Sequence, residues 1–164
     1  SMAKTILIPT DLTIESLNLL SYAVRHEDGS PLDIILLNGY RSSDSIIDLL
    51  FFNKENEREQ LVSKEFREAY EILKNRNASR VNGITIEFFS GFNKAAMRNL
   101  LEARLVNKIY LPANYKMREL HARSFDLTPL LRGHQIPVTE VNWSSQEHSP
   151  EKNLSAEIFL YESK

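Results

Sequence analysis

Lys4 to Leu20 reads KTILIPTDLTIESLNLL, and within it an apolar run stops at Pro9-Thr10-Asp11 and gives way at once to a helical pattern. Thr5 to Ile8 shows no polar alternation, which marks a strand covered on both faces. Beyond the turn, Leu17, Leu20, Ala23 and Val24 recur at the spacing of one buried helical face, so a helix is expected over about 14–26. Thr13, or Asp11 just before it, can accept the free N–H groups of the first turn, and Glu15 lies near the positive end of the dipole. Strand, turn and helix in this order open a parallel α/β sheet, whose ligand crevice lies beyond the carboxyl ends of the strands. Asp11 is expected at the lip of that crevice.

The rest of the chain repeats the alternation. Asp28-Gly29-Ser30-Pro31 stops the first helix, and LDIILLN over 32–38 is a second, almost wholly apolar strand. A helical stripe of Val62, Phe66, Ala69 and Leu73 runs through 54–79, its outer face carrying the solvent pairs Lys64 with Glu68 and Arg67 with Glu71. Asn82-Gly83 leads into a third strand, ITIEFF over 84–89, and Asn93 caps a helix over 94–105 with Met97, Leu100, Leu101 and Leu105 inward. KIYLP over 108–112 is the fourth strand, a short helix is expected over 126–133, and IPVTEVN over 136–142 is the fifth strand. Pro129 then belongs in a first turn and Pro137 at a strand start or sheet edge. The expected architecture is a single doubly wound, Rossmann-like domain over 1–142, with a five-stranded, mainly parallel sheet and about four helices, followed by a C-terminal extension over 143–164.

Two stretches fall outside this plan. Ile46 to Phe52, IIDLLFF, reads as a short helix against the core, with an interaction patch or lid as the other reading. Ala156 to Tyr161 has the apolar density of an added strand, with a short helix folding back as the other reading.

Composition narrows the function classes. With 164 residues and no cysteine, the chain is long enough to bury a core without staples and offers neither disulfides nor thiolate metal sites. A formal charge of -2 gives no global attraction to nucleic acid or acidic membranes, and no run approaches the roughly 20 apolar residues of a membrane span. A soluble, cytoplasmic protein without nucleic-acid or membrane partners is expected. His26, His121, His134 and His148 are too scattered for a helical metal pair. Neither a Gly-x-Ser-x-Gly elbow nor a Gly-Lys-Ser phosphate loop is present. No catalytic residue is assigned.

The order ILIPTD at 6–11, LLNG at 36–39, Ser90-Gly91 after the third strand, and Leu130-Leu131-Arg132 followed by Ile136-Pro137-Val138 resembles the universal stress protein family. The resemblance spans roughly the first 142 residues and implies a small doubly wound domain, a homodimer joined through the fifth strand, and a stress or regulatory role. Nucleotide-binding members carry Gly-x-x-Gly, a spacer and Gly-Ser or Gly-Thr after the fourth strand. Here Pro112 and Tyr115 take the first two glycine positions and Ser124-Phe125 replaces the last pair, so none of the three glycines is present. Backbone N–H groups in such a nest grip phosphate. Losing two charge-assisted bonds costs about 3–6 kcal/mol, or roughly two to four decades of affinity.

The expectation is therefore a non-enzymatic domain acting through protein contacts, with no cofactor and no ATP bound in the family manner. Asp11 is then expected to cap the first helix. The alternative is a module for ATP, AMP or another small anion, in which Lys116, Arg118, His121 and Arg123 replace the backbone donors. In that case the resemblance places Thr10, Asp11, Gly39, Asn114, Arg118, Arg123 and Ser124 about the ligand. Trp143, the sole tryptophan, fits either a subunit interface or a capped core edge.

Overall fold

The structure, a computed structural model, describes residues 3–29, 31–41 and 60–143. The expected helix over 46–52 and the strand over 156–161 lie outside these residues. Five strands form one sheet in the order β3-β2-β1-β4-β5, and every pairing is parallel. Along the chain they are β1 (Lys4–Pro9), β2 (Leu32–Gly39), β3 (Val81–Phe89), β4 (Lys108–Pro112) and β5 (Val138–Val141). Helix α1 (Asn18–His26) follows a 3-10 turn at Glu15–Leu17, α2 is Lys64–Arg76 and α3 is Lys94–Ala103.

The unbroken apolar runs have a direct cause. Ile6 and Ile8 of β1, with Ile34 and Leu36 of β2, face a core shared with Leu20, Val24, Phe66 and Leu73. Leu7, Ile35 and Leu37 point the other way, against Met97, Leu101, Ile109 and Leu111. Both faces are covered, so the period-two alternation carries no polarity. Strand order reverses between β1 and β4, which puts the topological switch point, and the crevice it opens, directly beyond Pro9 and Pro112.

Three expectations are corrected. Asn82-Gly83 does not precede β3 but lies within it: Leu32 pairs with Val81 and Asp33 with Gly83, so Asn82 is an extra residue. Its amide donates to Asp33 Oδ1 at 3.1 Å, which holds the bulge. Helix α3 ends at Ala103, two residues before the expected Leu105, which adopts φ 54 and is 71% exposed. The Val106 N–H bonds back to the Leu101 carbonyl and Leu105 N–H to Glu102, a Schellman closure that turns Val106 rather than Leu105 inward.

The helix expected over 126–133 is only a 3-10 turn, Thr128–Leu131, with Pro129 in it and Gly133 at φ 85 shortly after. Of the two readings of Trp143, the structure agrees with the capped core edge: the residue is 3% exposed and packs in the core.

Candidate functional site

The crevice is built first by the turn after β1. Leu12 takes φ 65, an uncommon conformation for a leucine, and stands between Asp11 and Thr13. Thr10 donates to Ser16 Oγ at 2.8 Å, because the single Ser16 proton is already given to the Thr13 carbonyl at 2.7 Å. Thr13 Oγ1 in turn accepts the Ser16 N–H at 3.2 Å. The hydroxyl that serves the first turn therefore belongs to Thr13, and the expectation that Asp11 caps the helix is corrected.

Asp11 has other partners. Its Oδ1 accepts from Thr13 N–H at 3.1 Å and from Thr13 Oγ1 at 2.5 Å. Its Oδ2 accepts from the Tyr115 hydroxyl and from the Arg118 N–H at 2.8 Å. An ionised carboxylate has about four acceptor sites, and here four donors of the chain itself occupy them, with Asp11 only 4% exposed. Burial, and then the neighbouring Asp11 charge, push the Tyr115 phenol well above its ordinary range, so it is a donor at every physiological pH.

The segment 113–127 that supplies Tyr115 and Arg118 runs as a strap across the carboxyl edge of the sheet. At one end Asn114 donates to the Trp143 carbonyl at 3.2 Å, and the Tyr115 ring lies against the Trp143 indole with centroids 5.3 Å apart. At the other end Phe125 N–H donates to the Gly39 carbonyl at 3.0 Å, Arg41 N–H to the Arg123 carbonyl at 2.8 Å, and Tyr40 bridges Ser124. A Cβ on Gly39 would stand 2.4 Å from the Phe125 carbonyl oxygen, so only glycine permits this approach. The strap thus passes from β4, over Asp11 just beyond β1, to the end of β2.

The residues expected at a ligand site divide into two groups. Thr10, Asp11 and Arg118 meet at β1, but Arg118 reaches Asp11 through its main chain while its guanidinium lies 3.8 Å from Glu15. Gly39, Arg123 and Ser124 meet at the far end, where Ser124 Oγ accepts from the His121 N–H at 3.2 Å. Asn114 turns to Trp143. Asn38, buried on β2, donates to the Thr10 carbonyl at 2.9 Å, and its Oδ1 has no partner among the described residues.

Sequence reasoning missed a second buried polar cluster at the opposite, amino edge. Lys4 and Lys108 stand at the first positions of neighbouring strands and reach Glu27 at 2.6 and 3.0 Å, and the Tyr110 hydroxyl donates to the same carboxylate. Burial alone would raise the Glu27 pKa, but the bonds from Lys4, Tyr110 and Lys108 outweigh it and hold the group at about 2. Arg80 seals the end of α1, donating to the Val24, Glu27 and Asp28 carbonyls. Lysines opening two strands that flank the switch point were the available signal. This cluster anchors α1 to the sheet and faces away from the crevice.

No protein-family model and no curated protein matches the chain. Among solved structures, the hypothetical protein MJ0577 aligns at TM-score 0.55 and 16% identity, over 89% of this chain and 100% of its own. The hypothetical protein PH0823 aligns at TM-score 0.50 and 19% identity, over 88% and 100%. The universal stress protein UspA from Lactobacillus plantarum aligns at TM-score 0.50 and 14% identity, over 86% and 99%. These identities carry architecture and not chemistry, and with the strand order and switch point they lead to one statement: the chain has the universal stress protein fold.

Proposed function

We propose that the protein is a non-catalytic regulatory or stress-response domain of the universal stress protein type, working in the cytoplasm through protein contacts as a homodimer, without family-type ATP binding. The observation that carries this reading is the state of Asp11. Its carboxylate is filled by Thr13, Tyr115 and the Arg118 N–H, and the segment that holds phosphate in nucleotide-binding relatives of the fold contains no glycine between Pro112 and Phe125. A nucleotide would have to displace charge-assisted bonds before making its own. Among the described residues there is no cluster of three acidic or histidine side chains to hold a metal.

Calorimetric titration with ATP, AMP and a cyclic dinucleotide, with and without magnesium, tests this directly. Flat traces are expected throughout; a micromolar isotherm for any of them overturns the reading. The alternative, a nucleotide or small-anion module, draws on the exposed Lys116 and Arg118 on the strap. It requires such an isotherm and its loss in Arg118→Ala.

A further inference from the structure

The strap is fastened at widely separated points, and the middle fastening differs from the others. Its ends use neutral bonds, Ala113 N–H to the Val141 carbonyl and the Asn114 amide to the Trp143 carbonyl at one, Phe125 N–H to Gly39 and Arg41 N–H to Arg123 at the other. Its middle uses a buried carboxylate, Asp11, which accepts from the Tyr115 hydroxyl and the Arg118 N–H, with the Arg118 guanidinium 3.8 Å from Glu15 beside it. Between these points Lys116 and residues 118–122 are exposed, so much of the strap contributes little burial. Met117 is the buried exception. Around the crevice the structure is not fully relaxed: Asn38 Oδ1 is buried without a partner among the described residues, and Leu12 between Asp11 and Thr13 holds φ 65. The exposed stretch and the left-handed Leu12 favour opening, while the bonds to Asp11 oppose it.

We propose that segment 113–127 is a latched cover over the carboxyl edge of β1 and β2, with Asp11 as the catch and the Tyr115 hydroxyl as the bolt, so that it opens as a unit while the sheet stays folded. This rests on the reading that the crevice is closed by the chain's own residues, and it adds how the closure is controlled. Tyr115 is the positioning residue. Its ring is held by Trp143 whether or not the hydroxyl is present, so Tyr115→Phe removes the bolt and leaves the packing.

Native-state amide hydrogen exchange on the full chain, comparing wild type with Tyr115→Phe and Asp11→Asn, tests the proposal. In both variants the Arg118, Phe125 and Arg41 amides are expected to exchange roughly ten- to a hundred-fold faster, while amides in the centres of β1, β4 and α1 change by less than about two-fold. Unchanged strap amides in Tyr115→Phe overturn the latch. So does equal acceleration across the sheet, which would make the hydroxyl a general stabiliser. Asp11→Asn keeps the side-chain shape, and the same two outcomes decide for or against the latch in that variant if the phenylalanine variant folds poorly. Nucleotide binding by the wild type would remove the proposed function but leave this pattern of exchange to be decided on its own.

Discussion

Glu27 shows how a single residue sets a pH limit. Burial alone would raise the pKa of a carboxyl in that position, but Lys4, Tyr110 and Lys108 lower it to about 2 against a reference of 4.5. A depressed folded pKa stabilises above the unfolded value and is lost as the pH falls through the window from 4.5 to about 2. Glu27→Gln is therefore expected to lower stability by about 3 kcal/mol at pH 7, with the difference shrinking below pH 4.5 and nearly gone near pH 2. Urea unfolding of both proteins across that range checks it; a gap independent of pH would mean that shape, not charge, is what Glu27 supplies. Tyr110 is pushed upward by burial and then by Glu27, so it remains a donor throughout. Nothing in the local sequence around Glu27 announces this, because its three partners arrive from β1 and β4, far along the chain.

At the scale of elements, boundaries follow backbone conformation more than side-chain pattern. Leu105 continues the apolar stripe of α3 by spacing, yet the Schellman closure places it at φ 54 and leaves it in solvent. A left-handed leucine costs about 1–3 kcal/mol, and glycine gives back roughly 0.4–1 kcal/mol of chain entropy. Leu105→Gly should thus raise stability by about 1 kcal/mol, read as a higher urea midpoint with an unchanged slope. At the strap, the prediction has the opposite sign. Gly39→Ala drives a methyl to within 2.4 Å of the Phe125 carbonyl oxygen, and its expected loss is about 1–3 kcal/mol, with the Tyr40–Ser124 bridge the first contact to go. The five strands were legible because each is an apolar run between turn residues; the β3 bulge was not, because Asn-Gly serves equally in a turn and at an extra strand residue. The strap itself had no periodicity to read. Its course is fixed by Asp11, Gly39 and Trp143, residues separated from it in sequence but adjacent at the switch point.

For the whole molecule, the doubly wound architecture was recoverable from strand and helix alternation, and the solved structures agree on it. Assembly is a separate matter: Trp143 is buried within the chain, and among the described strands β5 stands at the sheet edge, where the proposed dimer would form. Val138 and Glu140 on this edge strand are exposed, and Arg132 pairs with Glu140 at 2.5 Å beside it. Light scattering at micromolar concentration is expected to give twice the monomer mass; a monomer mass would exclude the proposed dimer. The burial of Trp143 has one more consequence. It is the sole indole in the chain, it touches the tyrosine that closes the crevice, and its Nε1–H points to Glu15 at 3.4 Å. The protein therefore contains an intrinsic fluorophore beside its own closure: emission should be short-wavelength in the folded chain and move to the red when that corner becomes hydrated, reporting it optically without any label.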